Sequence, residues 1–179
     1  MKIRKKGLSP RVLAICAMLA AMSIVCGKFL AISLGDVMRV SFENLPILLS
    51  SLMFGPIIGA LTAVAADIFG CLLRGYALNP VITVGAAVLA VSSGVIFRLM
   101  SKTHMIARLA VGTVVAHLIG SVVIKTFGLA SFYAMPFETL LLWRGLNYLI
   151  VGAMDLTVLI IITKNKYVAS MINGAKSLK

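Results

Sequence analysis

Five basic side chains, Lys28, Arg39, Arg74, Lys125 and Arg144, and four acids, Asp36, Glu43, Asp67 and Glu138, lie in or at the ends of long apolar runs. An ionised group beside hydrocarbon costs several kcal/mol unless it faces water or the protein interior, so each is a candidate for function. Arginine can hold a carboxylate through two parallel hydrogen bonds. Cations gathered in one cavity would therefore suit a ligand that carries carboxylates. Arg144 is the best placed, within LLLWRGLNYLIVGAMDL. Asn147, Val151 and Asp155 follow at offsets that return to one face of a 3.6-residue helix. That polar stripe must point into a helix bundle, which sets Arg144 and Asn147 at the floor of a pocket, with Trp143 and Tyr148 nearby as stacking surfaces. Asp155 stands about 16 Å farther along the axis, at 1.5 Å per residue. It is expected to partner a polar group on a neighbouring helix, such as Arg98.

The segment RGYALNPVIT brings Arg74, Tyr76 and Asn79 together before an Asn-Pro step. Asn-Pro favours a turn, and proline suits the first helical position. These residues either cap a ligand or form an ordinary connection. Lys28 and Lys125 fit side chains that snorkel to lipid headgroups better than ligand contacts.

The elements that must position these groups are membrane helices. Hydrophobic residues make up 61% of the 179, charged residues 12%, and mean hydropathy is +1.08. Soluble domains carry about 25% charged residues, and a chain this short cannot hide so much apolar surface in one core. The net charge of +12 reads as topology signals and headgroup contacts, because the charges punctuate apolar runs instead of forming a basic face for nucleic acid. Cys16, Cys26 and Cys71 lie in apolar stretches without metal-ligand spacing and read as packing residues. His104 falls in a connecting loop and His117 mid-helix, where a lone histidine is a satisfied packing residue. No phosphate-binding GxxxxGK[ST], HExxH or GxSxG motif occurs. Neither an enzyme, a metal site nor a cofactor is expected.

A crossing helix needs about 20 apolar residues. Segments 10–32, 80–100, 105–127 and 137–163 qualify, the first as a retained span instead of a cleaved signal peptide. The stretch 44–73 is long for one span and short for two, and Phe54-Gly55-Pro56 interrupts it. It reads as helices 44–54 and 56–72 or as one kinked helix. Charge decides. Six spans with both termini cytoplasmic leave 12 Lys/Arg inside against 5 outside, whereas five spans leave only 7 of 17 inside. The expectation is one all-α membrane domain, residues 1–179, of six transmembrane helices in a bacterial cell membrane. Residues after Thr163 are expected to be a helix end and a frayed terminus. Small residues at four-residue spacing, Ala17/Ala21 and Gly55/Gly59/Ala63, allow close helix approach.

With these motifs placed, the chain resembles the substrate-binding (S) components of energy-coupling factor (ECF) transporters over about residues 12–163. The resemblance rests on Ala17-x-x-x-Ala21 after a basic N-terminus, the loop GDVMRVSFENLPILL, FGPIIGALTAVAADIFG with Pro56, Gly59 and Asp67, and GYALNPVITVGAAVLAVSSG. Within the family the sequence looks most like the folate group. That implies a six-helix subunit that binds folate from outside and has no ATPase of its own. It would dock through Ala17 and Ala21 on a transmembrane coupling protein driven by two ATP-binding-cassette ATPases. Many relatives carry aromatic-Pro-Gly-Phe-Thr where this chain reads Asn79-Pro80-Val81-Ile82-Thr83. The expected substrate-binding residues are Arg39, Glu43, Asp67, Arg74, Tyr76, Asn79, Arg144 and Asn147. A receptor for another anionic nutrient such as pantothenate is the nearest alternative, and a non-transport membrane scaffold is the alternative of another class.

Overall fold

The computed structural model describes residues 9–34, 38–133 and 136–174. The basic residues Lys2, Arg4, Lys5 and Lys6, the loop acid Asp36, and Lys176 and Lys179 lie outside the described residues. Helix α1 (Pro10–Ile24) begins where the Ser9 hydroxyl accepts the Val12 N–H and Pro10 takes the first helical position. It continues as a π-helical turn, Val25–Phe29. Strands β1 (Ile32–Leu34) and β2 (Met38–Val40) then pair antiparallel, with Ser33 opposite Arg39. The fold is helical as expected, and the loop between the first two helices forms a small ribbon that the expectation did not include.

Helices α2 (Asn44–Phe54) and α3 (Pro56–Arg74) are separated at Gly55, whose φ of 101° suits a residue without a side chain. The Arg98 guanidinium occupies the space a Cβ would need there and donates to the Phe54 carbonyl at 3.4 Å. Gly75, in the left-handed region, ends α3. Asn79 opens α4 (Pro80–Leu99) by accepting the Val81 and Ile82 N–H groups. α5 (Met105–Ala116), a π-helical segment (His117–Ile124) and α6 (Lys125–Tyr133) run on without a loop. α7 (Phe137–Thr163) and the short α8 (Lys166–Gly174) complete the chain.

Among the described residues, five helical stretches are long and apolar enough to cross a membrane: Pro10–Phe29, Pro56–Arg74, Pro80–Leu99, Met105–Phe132 and Phe137–Thr163. α2 is different. Its 11 residues rise only about 16 Å, yet eight of them are buried. It forms the centre of the bundle, packed against α1, α3 and α4. Leu48 and Leu52 meet Leu89 and Ala90 in one apolar cluster. Polar groups inside it are satisfied: Ser50 and Thr62 hydroxyls are 2.9 Å apart, and Ser51 donates to the Ala90 carbonyl. Where α4 crosses the π segment, a Cβ on Gly120 would lie 2.7 Å from the Gly85 carbonyl oxygen, so the crossing depends on bare backbone.

Candidate functional site

A cavity of about 350 Å³ opens at the end of the bundle where α1 stops and α2, α4 and α7 begin. α1 contributes Ser23 and Ile24, the π-helical turn after it Lys28, and β2 Arg39. The entry to α2 supplies Ser41, Glu43 and Asn44, and α3 supplies Ala66, Asp67 and Cys71. Tyr76 overhangs from the α3–α4 connection. Lys125 reaches in from α6, and Arg144, Asn147, Tyr148 and Val151 line the α7 side.

Four cations (Lys28, Arg39, Lys125, Arg144) and two carboxylates (Glu43, Asp67) line this space. Lys125 Nζ approaches Glu43 Oε1 at 3.9 Å and donates to Asn44 Oδ1 at 3.5 Å. Asp67 Oδ2 accepts from the Thr83 hydroxyl at 2.6 Å. Among the described residues no carboxylate comes within ion-pair distance of Lys28, Arg39 or Arg144. Lys28 lies 5.5 Å from the centre of the Tyr76 ring. Arg144 is held by neutral groups: Nε donates to Thr126 Oγ1 at 3.0 Å, and Nη2 donates to the Tyr148 hydroxyl at 3.2 Å and the Ser121 carbonyl at 3.4 Å. A cation tethered this way keeps its charge available for a ligand.

Glu43 is surrounded by that charge. Burial pushes its carboxyl up, but Lys125, Arg39, Lys28 and Arg144 together hold it below the ordinary carboxylate range. Its backbone is anchored too, since Ser23 Oγ donates to the Glu43 carbonyl at 2.7 Å. On the α7 side, Asn147 Nδ2 donates to the Arg39 carbonyl at 3.0 Å, which ties the ribbon over the cavity to the helix beneath it. The buried Asn147 Oδ1 has no hydrogen-bond partner among the described residues.

Of the residues expected at a binding site, Arg39, Glu43, Asp67, Tyr76, Arg144 and Asn147 surround this one space. Arg74 and Asn79 do not line it. Arg74 is exposed, donates to the Lys28 carbonyl and stacks 4.9 Å over Phe29. Asn79 is buried and consumed locally, capping α4 and donating to the Gly128 carbonyl at 2.9 Å. Trp143, expected near the pocket, is 45% exposed and is not among the lining residues. Lys28 and Lys125, expected at headgroups, line the cavity instead. Asp155 does not meet Arg98; its Oδ2 lies 3.1 Å from His117 Nε2. Asn44 and Ser41 are site residues that sequence reasoning missed, since short polar residues at a helix start read as ordinary caps. Ala17 and Ala21 are exposed on α1, outside the cavity lining.

The fold and cavity define a membrane-embedded binding protein, an integral membrane protein whose polar interior opens at one end. Residues 11–163 match the family of the ECF transporter, substrate-specific component, and the chain belongs to that family. Solved structures share the fold at low identity. FolT bound with folic acid superposes with a TM-score of 0.73 at 20% identity, covering 89% of this chain and 96% of that one. ThiT from Listeria monocytogenes gives 0.66 at 15% identity over 90% and 97%. An S-component for biotin from an ECF-type ABC transporter gives 0.63 at 15% over 92% and 95%. No curated protein sequence matches the chain.

Proposed function

We propose that this protein is the high-affinity substrate-binding subunit of an ATP-driven ECF importer and that its substrate is folate. The observation that carries the reading is the cavity's charge: four cations against two carboxylates, with three of the cations having no acid within ion-pair distance among the described residues. Such a site stabilises a dianion and disfavours a neutral or cationic vitamin. The likeness to a folic-acid-bound structure supports the choice, and an S-component for biotin shares the fold. In this reading Arg39 and Arg144 meet the glutamate carboxylates, while Asp67, Asn147 and the Tyr76 and Tyr148 rings provide hydrogen bonds and stacking for the pterin. Arg74 acts from the rim. Six helices with both termini cytoplasmic turn the cavity outward. Release inward requires a transmembrane coupling protein and two ABC ATPases, which this chain meets through the α1 face bearing Ala17 and Ala21.

Binding of tritiated folate to the purified chain tests this directly. The parent should bind. Arg144→Ala should lose about 10- to 100-fold in affinity, the range of a hydrogen bond to a charged group. No binding by the parent removes folate, and a ligand panel scored by thermal shift would then identify the vitamin, pantothenate first. Purification with no ATPase partner would favour a scaffold.

A further inference from the structure

Beneath the cavity floor lies a buried polar pair that ligand contact does not explain. His117 is 3% exposed and Asp155 is fully buried, and neither lines the cavity. His117 Nε2 and Asp155 Oδ2 face each other at hydrogen-bond distance, 3.1 Å. The other polar atom of each side chain, Nδ1 and Oδ1, has no hydrogen-bond partner among the described residues. Burying such a pair at membrane depth is costly, and replacing it by apolar groups is often neutral or stabilising. Stability alone therefore does not account for it.

The pair does reach the site, through contacts in series. The imidazole lies against the Tyr148 ring, centroids 5.6 Å apart at 30°. The Tyr148 hydroxyl accepts from Arg144 Nη2, and the Arg144 guanidinium carbon stands 5.2 Å over the same ring. Tyr148 and Arg144 both line the cavity. Gly152 faces the imidazole on α7, where a Cβ would sit 3.4 Å from the ring, in ordinary van der Waals contact. His117 also begins the π-helical segment, a feature frequent at functional sites. That segment carries Ser121, and α6, which continues it, carries Thr126, the remaining two partners of Arg144.

We infer that His117 and Asp155 are positioning residues: Asp155 fixes the imidazole, the imidazole fixes the Tyr148 ring, and Tyr148 fixes the guanidinium of Arg144 that receives the ligand's negative charge. Asp155 thus acts on the site from two turns below Tyr148 without touching it. The inference rests on the reading of Arg144 as an anion-binding residue.

Two measurements test it. The first needs no ligand: a crystal structure of Asp155→Asn, a volume-conserving change, should show the Arg144 guanidinium displaced from Thr126 and Tyr148. The second is folate titration of Asp155→Asn, Tyr148→Phe and their combination, with His117→Gln as a second variant should Asp155→Asn not fold. Each single change should weaken folate about tenfold, and the double change should weaken it no further, since contacts in series couple non-additively. A merely structural role would lower melting temperature and give additive losses. An unmoved guanidinium, or additive losses in folate affinity, overturns the inference. If the parent binds no folate, the substrate assignment falls, and the ligand-free structure alone decides the positioning role.

Discussion

Arg144 and Glu43 illustrate two ways a charge can be kept inside a membrane protein. Arg144 is surrounded by neutral acceptors and stays available, whereas Glu43 is stabilised by four cations. The consequence for Glu43 can be measured. Its folded carboxyl holds a proton less readily than the unfolded chain does. Its stabilising effect is therefore complete above the ordinary value of about 4.3 and is lost as pH falls through the lower folded value. Thermal unfolding of Glu43→Gln in detergent should show a constant deficit between about pH 6 and 8 that shrinks below about pH 4.5. A deficit that persists into acid would mean that the glutamate contributes through shape and not charge. Lys125→Met should remove the cation nearest Glu43 and weaken an anionic ligand by about tenfold in equilibrium binding.

At the level of elements, the legible features were those with a strong local cause. The break at Gly55-Pro56 and the Pro80 start follow from backbone chemistry that any context would respect. The polar stripe of α7 follows from its 3.6-residue period: Asn147, Val151 and Asp155 are all buried. The π segment did not announce itself to a reading tuned to that period. Buried pairs recur at 112/113, 116/117, 120/121 and 125/126, a spacing of four to five residues that a π-helical stretch satisfies. That longer period was the available sign that Lys125 and Thr126 face inward. The partner of Asp155 was illegible because an apolar run fixes depth but not which neighbour stands opposite. The short ribbon was hidden for a similar reason, since three-residue strands carry too little alternation to detect. The α4 crossing offers a test. Gly120→Ala should cost about 1–3 kcal/mol, because backbone cannot yield to the new methyl. Gly145→Ala, with nothing within 4 Å of the added Cβ, should instead gain up to about 1 kcal/mol from helix propensity. Melting temperatures of the two variants should move in opposite directions.

For the whole molecule, the decisive property is orientation. Arg98, Lys102, Arg108 and Lys164 belong to the bundle end opposite the cavity, with Arg98 and Arg108 bonded to the Phe54 and Phe97 carbonyls there. Reporter fusions in the 100–104 turn should be active as cytoplasmic fusions. Placement of that turn outside the cell would close the cavity to external nutrient and remove the import reading. Exposed Ala17 and Ala21 should tolerate a bulky residue in the isolated chain. Ala17→Trp should leave ligand binding unchanged and abolish co-purification with the coupling protein proposed above. Loss of binding as well would place that face in the pocket's support.

The half-length α2 has a practical consequence at the far end of the bundle. Something must fill the space beyond Phe54, and α8 does so, with Ile172 only 5% exposed and Val168 and Met171 packed on the same cluster that holds Leu52 and Met53. The last described helix is thus a stopper and not a trailing end. Anyone shortening this gene after codon 163, or splicing an affinity handle there, would be pulling the cork from the core, and the protein should come out of detergent as aggregate even though every lipid-crossing helix is intact.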